Sequence, residues 1–363
     1  MPSAPARLSV VVPTYNEAPN VEPLVQALDR ALQGIPWEVI FVDDDSPDGT
    51  AAVAKALGAR DERVRCLHRV GRRGLAGACI EGILASNAPV AAVMDGDLQH
   101  DEALLPAMLA AIDGGADLAV GTRLGEGGST GDGLSQTRSA GTALATGIAR
   151  VFLGVRISDP MSGFFMVRRP LFEEVAPKLS IEGFKILLDF ISHSRRGLKV
   201  VELPFRFRGR HAGQSKLDSL VVLQFLALVA SRMSGGVLPP RFVMFSAVGL
   251  SGVGVHVATL LVAHDLAGLA FVPAQLVATL TAMTTNFYLN NVFTYRDARL
   301  QGWRLWRGLL SFYLVCSLGT AANLSVSSFI YDASLSTVGA GLAGAAMSAV
   351  FNYAVTKIVT WRQ

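Results

Sequence analysis

Residues 1–120 alternate short apolar runs with longer amphipathic stretches. The apolar runs are rich in β-branched residues and have the length of buried strands; they lie at residues 8–12, 38–42, 64–68, 90–94 and 117–120. Between them, apolar residues recur at helical spacing near residues 20–33, 49–59, 74–86 and 101–113. This alternation predicts an α/β domain whose parallel sheet is covered by helices on both faces.

Four long apolar stretches follow, at residues 242–263, 270–290, 308–330 and 335–359. Each reaches the roughly 20 residues that a helix needs to cross a bilayer. The loops after the first and third contain no Lys or Arg, whereas the linker after the second contains four arginines. Because positively charged loops stay in the cytoplasm, the pattern predicts four spans with both termini cytoplasmic. A shorter apolar stretch at 217–231 predicts an interfacial helix.

The predicted membrane segment contains an internal repeat. FVMFSAVG at 242–249 matches FYLVCSLG at 312–319, and NFYLNNVFTY at 286–295 matches NYAVTKIVTW at 352–361. Two helix pairs of the same orientation indicate a duplicated two-span unit. Asn286 and Asn352 are interpreted as hydrogen-bonding residues between helices. Small residues predict close helix packing; they are Gly249, Gly252, Gly254 and Gly319.

Composition supports a membrane protein with a separate polar domain. The 363 residues include 32 Lys and Arg against 29 Asp and Glu, and 51% are hydrophobic. The last four apolar stretches and their loops are poor in charge, so the remaining chain is close to charge balance. This distribution excludes a simple cytosolic enzyme, a disordered chain and a protein that binds nucleic acid through a basic domain. No signal peptide opens the chain, so we expect a cytoplasmic N-terminal domain.

Polar motifs follow the predicted strands, at the edge of a parallel sheet where ligands bind. They read PTYNE (13–17), DDDSPDGT (43–50), HRVGRRG (68–74) and DGDLQH (95–100). Asp95 and Asp97 can share a divalent cation with a nucleotide diphosphate, which supplies the remaining oxygen ligands. Three adjacent aspartates at 43–45 must repel one another, and helix capping accounts for only one of them.

These motifs, with DPMSGFF (159–165), GFKILLDF (183–190) and R-x-x-G-x-S-K (210–216), resemble the family 2 glycosyltransferases. More narrowly, residues 1–217 resemble the dolichol-phosphate (polyprenol-phosphate) mannose synthases, and the C-terminal segment resembles the GtrA-like four-span domain. The resemblance implies a Rossmann-like GT-A α/β catalytic domain at 1–216 in the cytoplasm. An interfacial amphipathic helix at 217–237 and a GtrA-like α-helical transmembrane domain at 238–363 would follow.

The resemblance also implies the donor-side residues. The nucleoside would contact Pro13, Tyr15, Glu17, Val42 and Asp44. The diphosphate and metal would contact Asp95, Gly96 and Asp97, and the ligands of Mg²⁺ or Mn²⁺ would be Asp97 and Gln99. The donor diphosphate would also contact Arg210 and Lys216. Two positions depart from the family pattern, because Gly96 replaces the more usual alanine and Asp101 replaces a proline.

On the acceptor side, the resemblance implies that Arg123 and Arg138 bind the lipid phosphate. Thr142 lies four residues after Arg138 on a predicted helix and shares its face. The residues expected to carry catalysis are Asp95, Asp97, Arg123, Arg138 and Arg210. A lipid phosphate is already an anion, so no general base is assigned. If a base were needed, Asp159 would be the candidate, and a helix-cap or turn role before Pro160 explains this residue equally well.

The expected activity is inverting transfer of mannose from GDP-mannose to a polyprenyl (dolichyl) phosphate, which gives polyprenyl phosphate mannose and GDP. Sugar choice depends on few pocket contacts, so a UDP-glucose-dependent glucosyltransferase acting on the same lipid is the nearest alternative. A lipid-linked sugar translocator is the alternative from another class. The expected location is the cell membrane, as a multi-pass protein in contact with the lipid bilayer.

Overall fold

The computed structural model describes residues 5–123, 157–160, 162–181, 186–194, 197–206, 208, 227, 229–231, 233–234, 237–334 and 337–361. The chain folds as two compact units, Met1–Val229 and Ala230–Gln363. The Gly-rich stretch after Arg123 and most of the predicted interfacial helix lie outside the described residues.

A seven-stranded sheet forms the centre of the first unit. Its strands are β1 (Leu8–Thr14), β2 (Trp37–Asp43), β3 (Val64–His68), β4 (Val90–Val93), β5 (Leu118–Thr122), β6 (Phe165–Arg168) and β7 (Val200–Pro204). Their order across the sheet is β3-β2-β1-β4-β6-β5-β7. The first two strands are buried along their whole length, as expected of apolar β-branched runs inside a doubly covered sheet.

Helices cover both faces of this sheet. They are α1 (Ala18–Ala31), α2 (Thr50–Gly58), α3 (Leu75–Leu84), α4 (Leu105–Asp113), α5 (Arg169–Val175) and α6 (Ile186–His193). One apolar cluster joins α1 and α4 to one face, through residues such as Leu24 and Met108. A second cluster joins α3, α5 and α6 to the other face, through residues such as Ile83 and Phe172. The predicted α/β domain with a sheet covered on both faces is confirmed.

The expectation of a fully parallel sheet is wrong at β6. This strand lies between β4 and β5 and is antiparallel to both. It has four residues and begins at Phe165, the last residue of the DPMSGFF motif, so the sequence shows no separate apolar run for it. The sequence also does not predict β7, the outermost strand of the sheet, because its residues are partly exposed and form no continuous apolar run.

The second unit consists of long helices at the four predicted apolar stretches. They are α7 (Pro240–Leu261), α8 (Phe271–Leu289), α9 (Trp303–Ser334) and α10 (Thr337–Val359). π-helical turns at Val262–Leu266 and Asn290–Thr294 extend the first two. Within the described part of the chain, one helix, Pro240–Leu266 with 27 residues, is long and apolar enough by length and composition to cross a membrane.

The sequence repeat has a counterpart in helix packing. A Cβ atom added at Gly252 would overlap the side-chain amide of Asn286, and one added at Gly319 would overlap that of Asn352. The same pair of residue types thus makes the close contact in α7–α8 and in α9–α10. The expected hydrogen bonds between helices are not formed in the described residues, since the Oδ1 atoms of both asparagines are buried without a hydrogen-bond partner. These amides pack against glycine backbone instead.

The last residues of the two matched segments contact each other. The rings of Tyr295 and Trp361 stack with centroids 4.0 Å apart and planes 9° from parallel. Trp361 Nε1 donates a hydrogen bond to Asn291 Oδ1 at 3.1 Å. Phe287 and Phe312 complete a buried aromatic cluster around them. The two helix pairs therefore meet at equivalent positions.

Gly252→Ala should lower the thermal stability of the full chain in detergent micelles, because the new methyl group must displace the buried side-chain amide of Asn286. Overpacking of this kind costs about 1–3 kcal/mol. Gly254→Ala, on the same helix, is the matched control, since no described atom lies within 4 Å of a Cβ there. Thermal unfolding followed by circular dichroism compares the two variants. Equal melting temperatures would show that the Gly252–Asn286 contact does not limit packing.

Candidate functional site

Four loops meet at the carboxyl-end edge of the sheet. The backbone N–H of Asp44 donates to Thr14 O at 3.0 Å, and that of Arg69 donates to Asp43 O at 2.8 Å. These bonds extend the β1–β2–β3 ladder past the strands, so the loops after all three lie side by side. The loop after β4 joins them because β4 is parallel to β1.

Asp43 closes the turn after β2. Its carboxylate is fully buried. It accepts hydrogen bonds from the backbone N–H of Ser46 at 3.0 Å and from the hydroxyl of Thr14 at 3.3 Å. These bonds hold the loop in shape, so the role of this aspartate is structural.

Asp44 forms a buried ion pair with Arg69, a residue that the sequence analysis did not single out. It also accepts the backbone N–H of Gly74 at 2.6 Å. Arg69 is 4% exposed and donates to Gly74 O at 3.1 Å. Burial raises the pKa of the Asp44 carboxyl above its usual value, although the Gly74 N–H and the Arg69 guanidinium act in the opposite direction.

Asp45 turns away from its neighbours with a left-handed backbone, at φ 56°. It accepts the backbone N–H of Gly71 at 3.1 Å, and His68 Nε2 lies 3.1 Å from its carboxylate. The Gly71 N–H and the His68 ring lower the pKa of this carboxyl. Each of the three adjacent aspartates therefore has its own partner, which resolves the expected repulsion.

The PTYNE loop is fastened to the loop after β2. Asn16, with φ 59°, donates its backbone N–H to Ser46 Oγ at 3.0 Å, and Glu17 donates its N–H to Thr50 Oγ1 at 3.0 Å. Asp48 accepts the first N–H of α1, from Ala18, at 3.1 Å. Asp48 thus satisfies a backbone N–H at the start of α1. The cap role expected of one of the three adjacent aspartates is wrong, because the N-cap position of α2 is Gly49.

Tyr15 lies beside a second cation. The guanidinium of Arg73 stands 4.5 Å from the centroid of the Tyr15 ring, within the range of a cation–π contact. Arg73 belongs to the loop after β3, so this contact adds a further link between the loops after β1 and β3.

The DGD turn follows β4 and is tightly built. Asp97 is 6% exposed, and one of its carboxylate oxygens accepts the backbone N–H of Gln99 at 3.2 Å. A Cβ at Gly96 would lie 3.3 Å from Thr14 Cγ2 and 3.3 Å from Val12 Cγ1. The glycine that departs from the family pattern therefore suits the close approach of β1.

Gln99 is held by the segment after β7. Its Nε2 donates to Arg208 O at 3.0 Å, and its backbone O accepts the Arg208 N–H at 3.0 Å. The Arg208 guanidinium pairs with Asp101 at 2.6 Å and with Glu102 at 2.8 Å. Asp101, the second departure from the family pattern, thus gains an ion pair that proline could not make.

His100 is a buried support of the same turn. Its Nδ1 accepts the backbone N–H of Asp95 at 3.0 Å, so the neutral ring carries its proton on Nε2. Phe164 stacks on the ring at 5.1 Å, and Phe205 meets it edge-on at 5.6 Å. Burial lowers the pKa of His100 to about 4, so the ring is neutral at physiological pH.

Arg123 directly follows β5, whose carboxyl end lies at the same sheet edge because β6 is antiparallel to both β4 and β5. Its Nε and Nη2 donate to the two carboxylate oxygens of Asp159, at 2.8 and 3.1 Å. Asp159 is fully buried. This long-range pair could not be predicted from sequence spacing.

The described residues that sequence analysis assigned to the site all lie at this edge; they are Pro13, Tyr15, Glu17, Val42, Asp44, Asp95, Gly96, Asp97, Gln99 and Arg123. Four others lie outside the described residues; they are Arg138, Thr142, Arg210 and Lys216. Within the described part of the chain, no group of three or more His, Cys, Asp or Glu side chains could hold a metal ion. The oxygens of Asp97 and Gln99 suit a metal that takes its other ligands from substrate phosphates.

Comparisons with known proteins match both units. Residues 9–176 match the family described as glycosyl transferase family 2, and residues 244–361 match the GtrA/DPMS transmembrane domain. The dolichol-phosphate mannosyltransferase of Pyrococcus furiosus is 34% identical over 357 residues, which cover 98% of this chain and 99% of that protein. The polyprenol monophosphomannose synthase of Mycolicibacterium smegmatis is 33% identical over 62% of this chain and 86% of that protein. The solved structure of glucosyl-3-phosphoglycerate synthase from Mycobacterium tuberculosis is also similar. The match covers 63% of this chain and 80% of that protein's chain, with 23% identity and a TM-score of 0.47.

Arg69→Met should destabilise the protein by about 3–5 kcal/mol at neutral pH, because it leaves the Asp44 carboxylate buried without its cation. Without Arg69, the pKa of Asp44 in the folded state rises further above its unfolded value. Protonation then favours the folded variant, so the stability loss should shrink as the pH falls into the acid range. Thermal unfolding at a series of pH values measures this.

Arg72→Met is the control for that experiment. Arg72 is exposed and pairs with Glu81, so its loss should change stability by less than about 1 kcal/mol. A loss for Arg69→Met as small as for Arg72→Met, or one that stays constant with pH, would contradict the buried-pair explanation.

Proposed function

The chain belongs to the family 2 glycosyltransferases, among the dolichol-phosphate and polyprenol-phosphate mannosyltransferases, and on this basis we propose that it transfers mannose from GDP-mannose to a polyprenyl phosphate. The products are polyprenyl phosphate mannose and GDP. The resemblance seen in the motifs is confirmed, and the chain is an enzyme of the glycosyltransferase class. The observation that carries the proposal is the match over 98% of the chain to a dolichol-phosphate mannosyltransferase, with catalytic and transmembrane units in the same order.

On the donor side, Pro13, Tyr15, Glu17, Val42 and Asp44 bind the nucleoside. Support comes from their common position at the sheet edge and from the bonds that fasten the loops after β1 and β2 to each other. Arg69 orients Asp44 and keeps its charge balanced. GDP-mannose is the proposed donor because the named relatives transfer mannose.

Asp95, Gly96 and Asp97 form the diphosphate side of the site, and Asp97 and Gln99 would hold Mg²⁺ or Mn²⁺. When bound, a divalent ion would neutralise charge on the leaving diphosphate. The hydrogen bond from Gln99 Nε2 to Arg208 O supports this assignment, because it fixes the side-chain amide beside the DGD turn. His100 holds the backbone of the turn as a neutral ring.

For the transfer step, an oxygen of the lipid phosphate attacks the anomeric carbon while the bond to the GDP oxygen breaks. The configuration at that carbon inverts. The attacking phosphate is already an anion, so no base needs to remove a proton. Arg123 and Arg138, with Thr142, bind the acceptor phosphate, and Arg210 and Lys216 bind the donor diphosphate. Guanidinium groups suit this task because they make paired charge-assisted bonds to phosphate oxygens.

The domain boundaries belong to the same proposal: a catalytic domain at 1–216, an interfacial helix at 217–237 and a transmembrane domain at 238–363. The match to the GtrA/DPMS transmembrane domain indicates a membrane protein. We place four spans in the cell membrane, with the catalytic domain and both termini in the cytoplasm. The arginines between the second and third helices support this orientation.

The purified full chain should form labelled lipid from GDP-mannose, undecaprenyl phosphate and Mn²⁺, and should form little from UDP-glucose. Asp97→Ala should lower the rate by about 10²-fold or more, because the diphosphate loses charge stabilisation in the transition state. Chromatography of the extracted lipid measures product.

Asp113→Ala is the control, since this partly exposed carboxylate ends α4 and pairs with Arg7. Its activity should match that of the unaltered chain. A higher rate with UDP-glucose than with GDP-mannose would show that the proposed donor is wrong. Full activity of Asp97→Ala in excess chelator would refute the proposed metal role.

The topology can be tested by cysteine labelling in a background without native cysteines. Asp265→Cys lies in the exposed π-helical turn at the end of α7 and should react with an impermeant maleimide in intact cells. Arg299→Cys, in the linker before α9, should react only after the membrane is opened. The reverse pattern would overturn the proposed orientation.

A further inference from the structure

We propose that Asp159 is a positioning residue for the lipid acceptor: its carboxylate fixes the Arg123 guanidinium in the orientation that receives the acceptor phosphate. This inference rests on the proposed function and assigns a role to a residue of the DPMSGFF motif. It replaces the base and the turn cap as explanations of why a carboxylate stands there.

The pair is bidentate and shielded from water. Nε and Nη2 of Arg123 lie 2.8 and 3.1 Å from the two oxygens of Asp159. Asp159 is fully buried, and the Arg123 side chain is 17% exposed. Because a guanidinium is planar, two bonds on one edge set the direction of the opposite edge. Asp159 therefore sets the plane and the direction of the Arg123 guanidinium.

Both partners are held by the same strand. Ser162 donates its backbone N–H to Asp159 O at 3.2 Å and its hydroxyl to Gly121 O at 2.7 Å. Gly121 in turn donates its N–H to Phe164 O at 2.9 Å. Gly121 lies in β5, two residues before Arg123. The carboxylate and the guanidinium thus cannot shift independently, as a positioning contact requires.

A general-base role does not fit this geometry. Both oxygens of Asp159 already accept bonds from one guanidinium. The acceptor phosphate has no proton that must be removed, and a second anion beside it would repel it. Paired with Arg123, the Asp159 charge is balanced, so it can orient the cation without opposing the phosphate.

Asp159→Asn tests the inference, because it keeps the side-chain shape and removes the charge. We expect kcat/KM for the lipid phosphate to fall by about 10–100-fold, the size typical of losing a residue that orients a ligand-binding group. The KM for GDP-mannose should stay within about twofold, since donor contacts are untouched. The full chain in micelles is assayed with each substrate varied separately.

A double-mutant cycle separates positioning from independent catalysis. If Asp159 acts through Arg123, the variant Arg123→Gln/Asp159→Asn should be no slower than Arg123→Gln alone. Losses that multiply, or an equal rise in the KM for GDP-mannose, would overturn the inference. So would unchanged kinetics in Asp159→Asn.

Glu173→Gln is the matched control. Glu173 is an exposed carboxylate that pairs with Arg169, and the kinetics of this variant should stay within about twofold of those of the unaltered chain. If Asp159→Asn does not fold, as judged by thermal unfolding and GDP titration, Asp159→Glu replaces it. That variant keeps the charge and shifts the carboxylate by one methylene, so the same acceptor-specific loss is expected. An unaltered chain that makes no mannolipid would refute the proposed function instead.

Discussion

Negative charge accumulates at one edge of the sheet, and the structure of the first unit depends on how that charge is balanced. Asp43, Asp44 and Asp45 follow one strand without a gap, and Asp95 and Asp97 follow another. Each of the first three takes a different kind of partner: hydroxyl and backbone groups, a buried guanidinium, and a backbone N–H with a histidine. Because Thr14, His68, Arg69, Gly71 and Gly74 lie on the neighbouring segments after β1 and β3, the contacts that balance the charge also hold these loops together.

The same logic connects residues that a linear motif keeps apart. Arg69 follows β3 and neutralises an aspartate after β2, while Arg208 follows β7 and joins the turn after β4. These ion pairs connect loops that follow different strands. A candidate site whose loops are connected before a ligand binds loses less conformational entropy on binding. Asp101 shows how one chain can adjust this scheme, since its carboxylate exchanges the rigidity of a proline for an ion pair.

Local sequence patterns predicted much of the fold and the part of the sheet at which the candidate site lies. β-branched runs and helical spacing predicted β1 to β5 and the helices between them, because both signals are contained within a few residues. The ion-pair partners could not be predicted in this way, because Arg69 and Asp44 are 25 residues apart in sequence and Arg123 and Asp159 are 36 apart. Periodicity does not record such pairs, nor does it reveal a four-residue strand inserted antiparallel, as β6 is. The asparagines of the second unit were recognised as equivalent, but their packing against glycine depends on backbone distances that sequence does not contain.

The stacking of Tyr295 on Trp361 has a consequence for the origin of the second unit. A contact between two equivalent positions is what an isologous interface between identical subunits has at its twofold axis. A single chain carrying such a contact corresponds to a fused dimer, in which one helix hairpin was copied and joined to itself. After fusion the two copies can diverge in sequence. The two equivalent positions now hold different residues, the phenol of Tyr295 and the indole of Trp361. The two helix hairpins can therefore differ in the residues that surround them and still keep the stacked aromatic contact that joins them.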